Sequence, residues 1–366
     1  MPEPGPGEVL VKVEACGICL SDAHLLDGSL PGPLAEVTPG HEAAGTIAAL
    51  GRDVVGWQVG AAVVIAGGKP CQVCERCVTG RLDQCLRFQV MGFSYDGAWA
   101  EYVVVPAFVL TAGPEGMDVA EAAICADAVS TPYAGIVRRA QLRPGESVGL
   151  WGIGGLGVHA VQVARLAGAG QVIAVDPNAK ARERALAAGA DVALDPTAGD
   201  VVAEVWRLTG GLDLAVDLFG ANSVLAEGAR CLGRSGRVLM VGLSLEPVQL
   251  GPGVLFGFQS QSLLGHLGYA KADLDDVVAL TGRGRLDLSR SVSERIDLDA
   301  VAAGVERLRT KSPAGSGRPA HAVPPRWGSS DSMPDPLSCF TLGIGSVRKA
   351  MVLRDAAALG NVSGSS

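Results

Sequence analysis

Gly152-Ile153-Gly154-Gly155-Leu156-Gly157 lies between two runs of different period. Val148–Trp151 ahead of it is a short apolar run that reads as a buried strand, and Val158–Ala167 behind it has the apolar spacing of a helix. A G-x-G-x-x-G turn in that setting belongs to a parallel βαβ unit built to hold a dinucleotide. Gly152 permits the tight turn, Gly154 lets backbone approach a pyrophosphate, and Gly157 lets the helix pack close on the strand. The phosphates would rest at the helix N-terminus, beside Gly155 and Leu156, where free N–H groups and the dipole favour anions. The next strand, Gln171–Val175, leads to Asp176, 19 residues past Gly157. A carboxylate there accepts from a ribose 2′-hydroxyl and repels a 2′-phosphate, which favours NAD over NADP. Arg182 and Arg184, a helical turn or more further on, read as a solvated helix face. The competing reading is a glycine turn that only packs helix on sheet; strand, helix, glycines and acidic residue in register weigh against it.

The alternation of strand and helix runs from about Thr131 to Leu264, with Leu212–Leu218 and Val238–Val241 as further strands and Ala179–Ala188 as a helix. It predicts an α/β doubly wound parallel sheet. Residues 1–130 have another texture, short apolar runs broken by Gly and Pro, with Val9–Val13, Ala62–Ile65 and Tyr102–Val105 as strands. Val301–Arg309 reads as a helix. Residues 312–336 hold 14 Pro, Ser or Gly in 25 positions without periodicity, which predicts an extended segment with few contacts.

Aromatics are only 4% of the chain and Gly is 50 of 366 residues, so its cores are filled by Val, Leu, Ile and Ala between tight turns. That texture argues against a disordered or collagen-like chain. A formal charge of −8 argues against nucleic acid or an anionic membrane as the main partner. The longest apolar stretch, 148–170, is broken by seven glycines and carries His159, Gln162 and Arg165, unlike a membrane span. The chain opens Met1-Pro2-Glu3-Pro4 with no basic start and no apolar run, which predicts a cytoplasmic protein with reduced thiols.

Nine cysteines in a reducing compartment point to metal rather than disulfides. Cys71-x2-Cys74-x2-Cys77-x7-Cys85 puts four of them in 15 residues. Four thiolates with no open position suit a structural Zn²⁺, around which the lobe would fold. A second constellation is dispersed: Cys19-Leu20-Ser21-Asp22-Ala23-His24, then Gly40-His41-Glu42, then Asp127. One thiolate, one imidazole and one carboxylate leave a fourth position open, as a catalytic zinc requires. Spacing alone does not select these three.

The stretch from about Pro4 to Leu308 resembles the zinc-containing medium-chain alcohol dehydrogenases, with its motifs in that family's order. The resemblance implies a GroES-like β-rich catalytic domain from residues 1–130 and 265–311, with a Rossmann domain inserted at 131–264. It makes Cys19, His41 and Asp127 ligands of a catalytic zinc, with Glu42 an occasional or outer ligand beside them. Cys125, two residues off register, is the rival to Asp127, and Cys16 becomes a small buried residue. Ser21 resembles the hydroxyl that bonds the substrate alcohol and passes on its proton, and His24 the relay end that hands it to solvent. Asp22 resembles the carboxylate that orients the metal-bound imidazole, and Thr131 a residue against the nicotinamide. Gly242 and Leu243 join Gly152, Gly154, Gly155, Leu156, Gly157 and Asp176 as cofactor-binding positions.

The implied activity is reversible oxidation of a primary or secondary alcohol to an aldehyde or ketone, with hydride passing to NAD. The implied cofactors are catalytic and structural Zn²⁺ and NAD; the implied partners are a small alcohol or carbonyl substrate and further copies of the chain, as dimer or tetramer. The run Asp127-Ala128-Val129-Ser130-Thr131-Pro132-Tyr133 also resembles members acting on secondary or cyclic alcohols, which leaves a larger cyclic hydroxy or hydroxyacyl-thioester substrate open. A reading from another class is an inactive, zinc-stabilised dinucleotide-binding scaffold.

Three departures from the family carry expectations of their own. Family members have a further segment ahead of the one matching Pro4–Val13, so a late start or a truncated domain edge is expected. Leu20 stands where several relatives place Arg or His against the pyrophosphate, implying weaker NADH binding. The family's closing apolar strand after Leu308 gives way to Ser312-Pro313-Ala314-Gly315. With 24 Arg against 6 Lys, the coding sequence has the GC-rich character in which a shifted frame stays open. Residues from about Ser312 are therefore expected to be frame-shifted or unrelated sequence.

Overall fold

The computed structural model describes residues 1–30 and 32–311, in two compact units: Met1–Ala126 with residues 292–311, and Asp127–Ser291. The expectations about the tail from Ser312 lie outside the described residues.

In the first unit, five strands form an antiparallel sheet in the order Tyr102–Pro106, Glu8–Cys16, Ala43–Leu50, Ala62–Ile65, Leu110–Ala112. Val9, Leu10 and Val11 are buried in succession, as in a strand covered on both faces. The helix Val119–Ile124 packs on this strand and on Ala43–Leu50, and Asp118 caps it by accepting from the N–H groups of Ala120 and Glu121. The helices Leu20–Leu26 and Val301–Lys311 pack together, and Ala23, Trp99, Val301 and Val305 form a small core with Leu20 against it. Leu20 is thus an apolar packing residue in its own unit. A two-stranded ribbon, Gly68–Lys69 with Gln89–Val90, leads into and out of the four-cysteine segment.

In the second unit, six parallel strands run in the order Val192–Leu194, Gln171–Val175, Ser147–Trp151, Leu212–Asp217, Leu232–Met240, Ser262–Gly265. The sheet is doubly wound, and its order reverses between Ser147–Trp151 and Leu212–Asp217. Ligands bind such sheets at that switch point, outside the carboxyl ends of the strands. Val148, Leu150, Ile173, Leu214 and Val216 are fully buried, so the sheet is covered on both faces. The helix after the glycine turn begins at Gly155, three residues earlier than the apolar spacing predicts, because glycine carries no side chain to mark the period.

Both boundaries differ from the sequence expectation. The second lies at Ser291/Val292 rather than 264/265, because Lys271–Gly282 packs on the helix Ser130–Tyr133. Tyr133 Oη donates to Asp276 at 3.1 Å, and Arg138 pairs with Asp273 and Asp276 at 3.1 and 2.6 Å. The first lies at Ala126/Asp127 rather than 130/131, within a helical run whose stretches Cys125–Val129 and Ala134–Arg139 are π-helical. No helix among the described residues is long and apolar enough to cross a membrane.

Candidate active site and metal centres

The four cysteines of the lobe converge. Cys74 Sγ lies 3.5 Å from Cys77 Sγ and 3.9 Å from Cys85 Sγ, Cys71 Sγ lies 4.0 Å from Cys77 Sγ, and all four sulfurs fall within 4.8 Å of one another. A tetrahedron with Zn–S bonds of ~2.3 Å has edges of about 3.8 Å, whereas a disulfide needs ~2.0 Å. The backbone N–H groups of Cys71 and Arg87 donate to Cys85 Sγ at 3.2 and 3.3 Å, which suits a thiolate. Backbone donors at Cys77 and Leu86 pull the Cys74 thiol down, while burial pushes Cys77 up. The set fits a closed structural Zn²⁺.

Cys19, His41, Glu42 and Asp127 offer ligand atoms that also lie within 4.8 Å of one another. Cys19 stands at the N-cap of Leu20–Leu26, in extended conformation, and its N–H donates to Asp22 Oδ2 at 2.9 Å. The other oxygen of that fully buried carboxylate lies 3.1 Å from His41 Nδ1. A carboxylate only accepts, so Nδ1 carries the proton and Nε2 is left with its lone pair. Gly40, at φ +98°, makes the turn into His41; a Cβ there would lie 2.5 Å from the Trp99 ring. Phe93 stands edge-on to the imidazole at 5.5 Å.

Asp127 follows Ala126 on the helical run from Val119. Residues two apart on a helix point about 200° apart, so Cys125 and Asp127 face opposite ways. Cys125 is buried with its sulfur 3.4 Å from Glu121 O, and it does not join the group. Thr131 Oγ1 donates to Asp127 Oδ1.

Ser21 Oγ lies 3.4 Å from His41 Nε2. His24 makes no hydrogen bond to Ser21: its Nδ1 lies 2.9 Å from Ser29 Oγ, which in turn donates to Asp27 Oδ1 at 2.5 Å. Cys16 is pushed well up by burial and keeps its proton.

At the glycine turn Gly152 has φ +89°, and a Cβ on Gly157 would sit 2.2 Å from the Gly152 carbonyl oxygen. Gly154 and Gly155 are exposed, leaving the helix N-terminus open, with Leu156 half-buried behind them. Asp176 accepts from the N–H of Ile153 at 2.7 Å and of Asn178 at 2.8 Å, so it stands against the turn itself. Arg184 is exposed, as the helix-face reading expects, whereas Arg182 is half-buried. Arg182 bonds the Asp176 carbonyl at 2.7 Å and pairs with Asp195 at 3.0 Å, and Arg184 reaches the Ile153 carbonyl at 3.3 Å. Gly242 and Leu243 line a cavity of about 370 Å³ with Ser244, His266 and Leu267. Zn²⁺ and NAD are the cofactors that these donor sets and this turn fit.

Nothing in the sequence gives Phe93, His159 or His266 a role. A histidine on the apolar face of the helix behind the glycine turn was the available signal for His159; no periodicity marks the other two.

Comparison with known proteins identifies the family. Residues 5–115 match the alcohol dehydrogenase GroES-like domain, and residues 155–283 match the zinc-binding dehydrogenase domain. An alcohol dehydrogenase of Geobacillus stearothermophilus is 32% identical over 306 residues, 82% of this chain and 88% of that one. An L-threonine 3-dehydrogenase of Pyrococcus horikoshii is 33% identical over 277 residues, 73% of this chain and 78% of that one. Among solved structures, a zinc-binding dehydrogenase of Sinorhizobium meliloti bound to NADP superposes with TM-score 0.78 at 32% identity, covering 83% of this chain and 89% of that one. The chain belongs to the zinc-dependent medium-chain alcohol dehydrogenase family and is an oxidoreductase.

Proposed function

We propose that this chain oxidises an alcohol, reversibly, to an aldehyde or ketone, with NAD rather than NADP as its hydride acceptor. The observation that carries the reading is the mixed donor set Cys19, His41, Glu42 and Asp127 with Asp22 behind the imidazole. When bound, zinc lowers the pKa of a substrate hydroxyl and the nicotinamide takes up hydride. Asp22 holds His41 in the Nδ1–H tautomer, so Nε2 would be the atom that binds the ion. Ser21, beside Nε2, is placed to accept a bond from the substrate hydroxyl. His24, with Ser29 and Asp27, offers a polar exit for the proton at the outer face of the same short helix. We assign Thr131 to the nicotinamide side and Gly152, Gly154, Gly155, Leu156, Gly157, Gly242 and Leu243 to the dinucleotide.

Asp176 supports NAD: its carboxylate is fixed against the turn and would meet a 2′-phosphate with like charge. The relative named as a threonine dehydrogenase acts on a secondary alcohol, in line with the Asp127–Tyr133 run. Exposed apolar residues Val254, Leu255 and Phe258 support a homo-oligomer. An activity scan tests the reading: primary, secondary and cyclic alcohols and hydroxyacyl thioesters, each with NAD⁺ and NADP⁺. Turnover of a simple alcohol with NAD⁺ is expected. Turnover confined to cyclic or thioester substrates points to the larger-substrate dehydrogenase, and none at all in zinc-loaded protein points to a scaffold.

A further inference from the structure

His159 is a histidine with no assigned part in either site, yet it is 2% exposed in the helix that starts at the glycine turn. Its Nδ1 lies 3.1 Å from the carbonyl oxygen of Ala128, and its Nε2 lies 2.8 Å from Ser291 Oγ. The carbonyl cannot donate, so Nδ1–H donates to it and Nε2 accepts from the serine hydroxyl. Burial lowers its pKa to about 4, so the ring stays neutral with this one tautomer at working pH. Ala128 is the neighbour of Asp127 inside the π-helical stretch Cys125–Val129. Such π turns depart from the regular helix ladder and recur at functional sites. A second ring, His266, holds the carbonyl of Thr131 through Nε2 at 3.1 Å, and Thr131 in turn bonds Asp127. The chain just after Asp127 is therefore held by two imidazoles, at Ala128 and at Thr131.

We propose that His159 is a positioning residue: it ties the helix that receives the dinucleotide pyrophosphate to the π turn that aims Asp127 at the metal. His159 is four residues, one helical turn, from Gly155 at the helix start. A shift of that helix end on binding the dinucleotide is passed through one hydrogen bond to Asp127. The inference rests on the reading of Asp127 as a zinc ligand.

The test compares His159→Leu, His159→Asn and Ser291→Ala with Asp127→Ala. Asn can place an N–H where Nδ1–H now donates, and Ser291→Ala removes only the outer partner. The readouts are the ligand-field spectrum of Co²⁺ exchanged into the mixed-donor site, NADH affinity by fluorescence, and kcat against KM. Loss of such a supporting bond typically costs 10–100-fold in metal affinity or activity. His159→Leu is expected to shift the Co²⁺ spectrum and lower kcat ~10–100-fold, with NADH affinity within ~2-fold of wild type and with Asn restoring much of the loss. Bound NADH is expected to perturb the Co²⁺ spectrum of the wild type and not that of the Leu variant. A wild-type spectrum and kcat in His159→Leu overturns the proposal. If His159→Leu does not fold, unchanged spectra in both His159→Asn and Ser291→Ala, with no response to NADH in the wild type, overturn it instead. If Asp127→Ala keeps its mixed-site metal and activity, the ligand assignment beneath the proposal fails; if it loses both while the histidine variants do not, only the proposal fails.

Discussion

His41 Nδ1 and Asp22 Oδ1 lie 3.1 Å apart, and the second oxygen of the same carboxylate takes the backbone N–H of Cys19 at 2.9 Å. One buried side chain thus fixes two of the proposed ligands, one by orienting its ring and one by capping the helix it begins. Asp22→Asn keeps an acceptor for Cys19 N–H but removes the charge behind the imidazole. The fold is expected to survive, with metal affinity at the mixed site reduced ~10–100-fold. Chelator competition at the two sites checks this, and equal retention by wild type and variant would refute it.

Two independent donor sets predict two zinc ions per chain. Cys74→Ser should remove zinc from the four-cysteine lobe and cost solubility, because such lobes fold around their metal. Asp127→Ala should lower zinc content yet leave a soluble, inactive protein. Metal analysis that finds one zinc in well-folded wild type would rule out the two-site reading.

The lobe's thiols set its pH dependence. Backbone donors hold the Cys74 pKa below its ordinary value, so its stabilising contribution is complete above that value and is lost as pH falls through the lowered one. Burial holds Cys77 above its ordinary value, so it keeps its proton at neutral pH without metal, and zinc must expel it. Loading the metal-free lobe at pH 7.5 should therefore release at least one proton per zinc, and zinc should bind more weakly as pH falls. Proton uptake by a buffer dye during titration measures this; zinc binding with no proton release would contradict it.

Asp176, the proposed ribose acceptor, also braces the glycine turn through Ile153 N–H. Asp176→Ala should lower kcat/KM for NAD⁺ and raise that for NADP⁺, shifting the ratio by about tenfold or more, the equivalent of ~1.4 kcal/mol. Arg182 and Arg184 already stand beside that position and supply the cations a 2′-phosphate would meet. Wild-type preference for NADP⁺ would show that the carboxylate does not select the nucleotide.

The glycine turn and its flanking strands were legible because their period and punctuation are local. Gln171–Val175 and Ala62–Ile65 have the predicted bounds. Ala43–Leu50 was not, since Ala-Ala-Gly-Thr-Ile-Ala-Ala-Leu carries few β-branched residues and no polar alternation; pairing on both edges makes it a strand. The second boundary was missed because the packing of Lys271–Gly282 rests on Arg138 and Tyr133 meeting acids more than 130 residues away. The four-cysteine set was readable from spacing, whereas the mixed set was not: Cys19, His41 and Asp127 are brought together by a capped helix, a glycine turn and a π turn. Resemblance supplied those residues; His159 and His266 had no such guide, because a lone histidine in an apolar setting carries no spacing to read.

The helix Gly253–Phe258 has no buried residue although its sequence is Gly-Val-Leu-Phe-Gly-Phe. Val254 is 76% exposed and Phe258 75%, and Leu245 and Leu267 are more than two-thirds exposed. Ser262–Gly265, which follows, is among the described residues an edge strand, paired to Leu232–Met240. A patch of this kind beside an open strand edge is what soluble chains cover by association. A homo-oligomer should therefore form through this face. Val254→Asp with Phe258→Asp should lower its molecular mass toward that of a single chain while both zinc ions stay bound, since neither residue touches a donor set. Sedimentation equilibrium reads the mass directly. A monomeric wild type, or a doubly charged variant with the wild-type mass, would remove this face from the assembly.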